Sequence, residues 1–183
     1  MFRILCLGNE LLADDAFGLV VADELRRRYP RLDVVFTADS GLHLIDYLAD
    51  VEVLVVVDTL QTGSDPPGTL YVLGSSDFKS PSGPSPHYVG LLETLQSAKK
   101  LLLNVPKDII ILGVEAADCL TLGGEMHGAV KSAVGLAADL VGEVVKNWPP
   151  DAPEDFAGVL RQALASVSAR WGSGRIVEIQ QSW

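Results

Sequence analysis

Three side chains of types that bind metals or move protons, Asp15, Asp58 and His87, stand where a fold could gather them, with Asp14 beside the first. Asp14 and Asp15 come just after a Gly8-Asn9 turn. Asp58 ends the apolar run Val53-Leu54-Val55-Val56-Val57, and His87 closes a stretch rich in Ser, Pro and Gly. Two carboxylates and one imidazole (Asp15, Asp58 and His87) can hold a divalent transition metal and leave positions open for water or a substrate group. Imidazole suits nickel or zinc. A carboxylate such as Asp15 can also act as general base on a water. Each residue has a plainer role as well. Asp14 and Asp15 suit the first turn of a helix, where the dipole favours an anion. Asp58 suits the cap of a turn, and His87 after Ser85-Pro86 suits the start of a helix. The separations are long-range, unlike His-Glu-x-x-His, so spacing alone does not choose between the two sets of roles.

The elements that must position these residues read as alternating strands and helices. Arg3 to Leu7 is a short apolar strand, and a helix runs from about Asp15 to Tyr29 with Phe17, Val20, Val21 and Leu25 at helical spacing. Leu32 to Phe36 is a second strand, and Asp39-Ser40-Gly41 turns the chain into a short helix to Ala49. Val53 to Val57, β-branched and apolar on both faces, reads as a central parallel strand stopping at Asp58. Thr69 to Leu73 reads as a fourth strand, an edge candidate. After a long Ser/Pro/Gly loop, Val89 to Leu103 reads as a helix with Leu91, Leu92, Leu95 and Ala98 inward. Asp108 to Val114 is a fifth strand, and Glu125 to Trp148 a long helix stopped by Pro149-Pro150. This alternation predicts an α/β class: a three-layer α/β/α sandwich on a mainly parallel, twisted sheet of about five strands. In such a sheet ligands bind at the carboxyl ends of the strands, where Asp15 and Asp58 fall. Composition changes after Trp148. Residues 1–148 form the expected domain and 149–183 a C-terminal extension, with a helix from Phe156 to Trp171 and a tail that could add an edge strand at Arg175 to Ile179.

Composition removes several classes. A length of 183 residues with 48% hydrophobic content suits one domain with a sizeable core. A formal charge of −10 and a pI near 4.6 argue against a nucleic-acid partner, and Arg26-Arg27-Arg28 reads as a dipole-favourable helix end. No apolar run approaches the ~20 residues of a membrane span, and a core strand at the N-terminus leaves no room for a signal peptide. Cys6 and Cys119 sit in apolar context and read as buried, reduced thiols of a cytoplasmic protein, too few for a structural zinc site. The turn after the first strand lacks the Gly-x-Gly-x-x-Gly of a dinucleotide fold, and no Gly-x-Ser-x-Gly elbow is present.

Taken together, the motifs resemble the hydrogenase maturation endopeptidases, which finish the large subunit of nickel-iron hydrogenases. That family opens with a strand and Gly-x-Gly-Asn-x-Leu-x-x-Asp-Asp/Glu-x-x-Gly. Here the segment reads Cys6-Leu7-Gly8-Asn9-Glu10-Leu11-Leu12-Ala13-Asp14-Asp15-Ala16-Phe17-Gly18. The second acid matches Asp58 in Val57-Asp58-Thr59, and the histidine matches His87 in Ser85-Pro86-His87-Tyr88-Val89-Gly90-Leu91. A late Gly-Ile/Val-Glu stands as Gly113-Val114-Glu115. The resemblance covers about Phe2 to Lys146. Cys6 replaces the first glycine, and Asp39-Ser40-Gly41-Leu42-His43-Leu44 departs from the family's Asp-Gly-Gly-Thr-x-Gly. His43 is expected as a half-exposed helix residue and His127 on the last family helix, away from the site. The resemblance implies an endopeptidase that removes a short C-terminal peptide from a nickel-loaded large-subunit precursor. Asp15, Asp58 and His87 would be both its metal-binding and its catalytic residues. The nickel would arrive with the substrate, and other divalent metals could occupy the site. The expected partner is the hydrogenase large subunit precursor, with no nucleic acid, no membrane and a monomeric state. The alternative is a metal-dependent assembly factor or chaperone on the same fold that does not cleave.

Overall fold

The computed structural model describes residues 1–74, 86–148, 156–172 and 175–178. The long loop before His87, the linker at 151–154 and the last residues of the tail lie outside the described residues. Six strands make one sheet: β1 (Phe2–Leu7), β2 (Val34–Thr37), β3 (Val53–Leu60), β4 (Leu70–Gly74), β5 (Asp108–Glu115) and β6 (Ile176–Glu178). Their order is β2-β1-β3-β5-β4-β6. The sheet therefore has six strands, not about five. The sixth comes from the C-terminal extension and pairs in parallel with β4, Leu70 opposite Ile176.

β2, β1, β3 and β5 run parallel, while β4 runs antiparallel to β5 with Leu70 opposite Val114 and Gly74 opposite Ile110. Connection length explains the reversal. Residues 61–69 are fewer than the dozen or so a parallel crossover needs, so the chain turns at the carboxyl edge and comes back. β4 is also not an edge strand, because β6 covers it.

Among the described residues the α-helices are α1 (Phe17–Arg28), α2 (Ile45–Leu48), α3 (Pro86–Lys100), α4 (Gly128–Asn147) and α5 (Phe156–Trp171). Strand alternation sorts them into two layers. Ile4, Cys6, Val55, Val57, Ile110 and Leu112 face α1, α4 and α5. Leu5, Leu7, Leu54, Val56, Ile109 and Ile111 face Leu44 and Leu48, around α2, and Leu91 and Leu95 of α3. Every residue of β3 is buried, as a central strand covered on both faces requires. Leu91, Leu95 and Ala98 point inward as expected, while the side chain of Leu92 is not among those described.

α5 packs on α4 through Leu160, Ala163 and Val167, all buried in the same core as α1 and α4. Trp171 Nε1 donates to Asp139 Oδ2 at 2.8 Å, and Arg28 Nη1 meets Asp139 Oδ1 at 2.6 Å. Arg170 Nη2 adds a contact to Glu143 at 3.2 Å. Among the described residues no helix is long and apolar enough to cross a membrane.

The topology selects one crevice. From β1 the chain crosses to β2 over the α1 face, then returns past β1 to β3 over the α2 face. Strand order reverses between β1 and β3, and at such a switch point the carboxyl ends leave an open crevice.

Candidate functional site

The turn after β1 is shaped by backbone contact. Gly8 has φ of +144°, and a Cβ there would collide with the carbonyl oxygen of Asp15. A Cβ on Gly18 would collide with the carbonyl oxygen of Leu7. Asn9 N–H donates to that Asp15 carbonyl at 3.2 Å, and the Asn9 side chain accepts from Leu11 N–H at 3.0 Å. The chain is thus folded flat over the end of β1. It enters a 3-10 turn, Ala13–Ala16, before α1 proper begins at Phe17. The expected helix starts at Asp15; in the structure both acids lie in the tighter turn that precedes it.

The two acids then part ways. Asp14, fully buried, accepts three main-chain hydrogen bonds. Ala117 N–H (2.7 Å) and Asp118 N–H (2.9 Å) bind Oδ2, and His127 N–H (2.6 Å) binds Oδ1. Its donors come from the segment after β5 and the approach to α4, so Asp14 is a structural clasp and not a dipole cap. His127 accordingly lies nearer the site than expected: it caps α4, its Nδ1 accepting from Ala129 N–H at 3.3 Å, and its main chain rests on Asp14.

Asp15 instead reaches β3. Its Oδ1 accepts from Thr59 Oγ1 at 2.7 Å, and Thr59 N–H donates to Asp58 Oδ1 at 2.8 Å. Asp58 was expected to end the third strand, but β3 runs on to Leu60 through the pairing of Asp58, Thr59 and Leu60 with Gly113, Val114 and Glu115. The strand continues because β5 is a full-length partner on that side. On the other side β1 stops pairing at Cys6–Val57, so Asp58 lies one residue past that pair, over the crevice. It is only 1% exposed. Alternation places Asp58 on the face shared with Leu54 and Val56, toward α3, and Thr59 on the face toward α1.

His87 belongs to the first turn of α3. Its side chain is not among those described. The early part of α3 is fixed against the turn after β2, where Thr94 Oγ1 donates to the Gly41 carbonyl and to the Gly90 carbonyl, each at 2.7 Å. His43, in that turn, is exposed. Among the described residues no three His, Cys, Asp or Glu side chains come together in a way that could hold a metal. Asp15 and Asp58 supply two carboxylates, so a closed set would need a donor from elsewhere.

Two further residues stand beside these acids. Thr59 sits within the quoted Val57-Asp58-Thr59 motif, but a threonine in a β-branched run gives no signal beyond strand propensity. Cys119 was expected to be buried like Cys6, but it is only half-buried. Burial comes first in pushing its thiol up to about 12; a hydrogen bond with Thr59 works against this, and the negative charges of Asp15, Asp14 and Asp58 add to it. A thiol so raised stays protonated at neutral pH and is a poor nucleophile. Cys6, in the core of β1, is also pushed up to about 12, chiefly by burial.

The end of β5 carries a second polar cluster. Glu115 accepts from Thr62 Oγ1 (2.6 Å), Gly63 N–H (2.8 Å) and Tyr71 OH (2.9 Å). Tyr71 OH also lies 3.0 Å from Asp65 Oδ2. Burial first, and then these acceptors, hold the phenol above its ordinary range. Glu115 thereby fastens the loop after β3.

Comparison with known proteins identifies the family. Residues 20–144 match the model of a family described as hydrogenase maturation protease. The chain is 31% identical over 151 residues to the hydrogenase expression/formation protein HupD of Bradyrhizobium diazoefficiens, covering 79% of this chain and 78% of that protein. It is 30% identical over 116 residues to the hydrogenase 2 maturation protease of Escherichia coli, covering 61% and 70%. Its fold is similar to the maturating endopeptidase HybD from E. coli (TM-score 0.61, 22% identity, 93% of each chain). It is also similar to HybD from Thermococcus kodakarensis (TM-score 0.63, 23% identity, 78% of this chain and 97% of that one). The chain belongs to the hydrogenase maturation protease family and is an endopeptidase of hydrogenase maturation.

Proposed function

We propose that this endopeptidase removes a short C-terminal peptide from the nickel-loaded precursor of a nickel-iron hydrogenase large subunit, and that Asp15, Asp58 and His87 recognise the nickel the precursor carries. The observation that carries this reading is the convergence of Asp15 and Asp58 on Thr59, at the one crevice where strand order reverses. Asp58 faces α3, whose first turn contains His87. Two hard carboxylates with one imidazole form a donor set that takes nickel and can release it again. Such a set distinguishes a loaded precursor from an empty one without keeping the ion. The nickel can polarise the scissile carbonyl or lower the pKa of a water. As an alternative to metal-assisted cleavage, a carboxylate such as Asp15 acts as general base on a water. The reading includes a monomer acting in the cytoplasm on a single polypeptide partner, without nucleic acid or membrane.

The test is a processing assay. The full chain is incubated with nickel-loaded and nickel-free precursor, and the intact mass of each is followed. Loss of one C-terminal peptide from the loaded form alone is expected, and Asp15→Ala, Asp58→Ala and His87→Ala each abolish it. If all three variants process like the parent, the site assignment is wrong. Binding without cleavage by the parent, on a precursor known to be competent, would move the protein to the assembly-factor role.

A further inference from the structure

We infer that Thr59 is a positioning residue of this site: its hydroxyl and its main-chain N–H together set the orientation of the two carboxylates that meet the substrate's metal. The inference rests on the reading of Asp15 and Asp58 just given. Thr59 is nearly fully buried inside β3. Its hydroxyl donates to Asp15 Oδ1 at 2.7 Å and also shares a hydrogen bond with the Cys119 thiol. Its N–H is directed at Asp58 Oδ1 at 2.8 Å. One residue therefore fixes one oxygen of each acid, across a sequence separation of 44 residues for Asp15.

The geometry matters because a carboxylate binds a metal through directed lone pairs. Outer partners that orient a ligand tune affinity and activity by about 10- to 100-fold when they are removed. A charge-assisted hydroxyl–carboxylate bond is also short and direction-specific. The residue type follows from the two tasks. A strand buried on both faces favours a β-branched side chain, and Asp15 needs a donor; threonine supplies both.

Valine keeps the shape of threonine and removes the hydroxyl with its bonds to Asp15 and Cys119, whereas serine keeps the hydroxyl and removes a methyl group. Thr59→Val, Thr59→Ser and the parent are compared on nickel-loaded precursor for kcat/KM per folded molecule. The ratio of binding constants for loaded over nickel-free precursor is measured alongside, and circular dichroism and urea midpoints report folding. Thr59→Val is expected to lose about 10- to 100-fold in kcat/KM and most of its preference for the loaded precursor. Thr59→Ser is expected to stay within about threefold of the parent, since the donor is retained. A purely structural hydroxyl would alter the urea midpoint but not the loaded-to-empty ratio. The inference is overturned if Thr59→Val matches the parent in both readouts, or if Thr59→Ser is as impaired as Thr59→Val. Asp15→Asn and Asp58→Asn run in parallel. If they process normally, the reading of the site itself fails; if they fail while Thr59→Val succeeds, only the role of Thr59 is lost.

Discussion

Asp14 and Asp15 are neighbours in one 3-10 turn and share one chemistry, yet they belong to different regions of the molecule. Asp14 looks toward the segment after β5 and spends both oxygens on three main-chain donors. Asp15 looks toward β3 and meets a side-chain hydroxyl beside a second carboxylate. Glu115, at the end of β5, also holds a loop, but through two side-chain hydroxyls and only one amide. The difference teaches how to sort buried acids. A carboxylate closed by backbone amides holds loops together, because its partners cannot move without unfolding the segment. A carboxylate that shares one positioning residue with another acid, at a topological crevice, has the makings of a ligand.

That contrast can be broken by experiment, beginning with the largest effect. Asp58→Ala and Asp15→Ala should each reduce processing to below about one hundredth, since a ligand outranks the 10- to 100-fold of an outer partner. Their urea midpoints should stay close to that of the parent. Asp14→Ala should do the reverse, leaving three main-chain amides without their acceptor and costing about 1–3 kcal/mol in urea unfolding. The folded fraction should still process precursor. If Asp14→Ala loses processing while keeping its stability, the division between clasp and site is wrong.

Glu115→Gln should cost less, about 1–2 kcal/mol, because the amide oxygen still accepts while its NH2 meets donors. It should leave the loaded-to-empty preference unchanged in the same binding measurement. The smallest effect is expected on the surface of α1. Hydrogen bonds from Arg27 and then Arg28 hold Glu24 down from 4.5 to about 2. A carboxylate depressed on folding contributes stability that is full above its unfolded pKa and lost as pH falls through the folded value. The parent should therefore lose part of its melting temperature between about pH 4.5 and about pH 2, and Glu24→Gln should show a shallower decline over the same window. An equal decline in both would show that this exposed network contributes nothing.

Much of this arrangement was legible in the sequence, for physical reasons that can be named. β3 announces itself because a strand covered on both faces must be apolar throughout. The glycine pattern around Gly8 and Gly18 is legible because contacts over so short a span leave their mark locally. Strand direction was harder to read. The periodicity of Leu70 to Leu73 is the same in either orientation, so β4 was not seen as antiparallel, although the short 61–69 connection was the available clue. Asp14 was read as a helix-dipole acid because its donors lie 103 to 113 residues away, and nothing near it in sequence signals them. Thr59 was hidden by its own strand propensity, and Cys119 by an apolar setting that suggested burial. The family motif pointed to Asp15, Asp58 and His87 as candidates; it did not state what each carboxylate touches.

The Asp14 clasp has a consequence for the time at which the enzyme comes into being. A ribosome delivers Asp14, Asp15 and Asp58 early, but the amides that lock Asp14 arrive only with Ala117, Asp118 and His127. Contacts of such long sequence separation form late, after the loop-closure entropy has been met. A nascent chain stopped at the end of β5 would hold Asp15 in a turn that the Asp14 clasp has not yet fastened. The turn that carries Asp15 is thus fastened only once the chain has been made as far as His127.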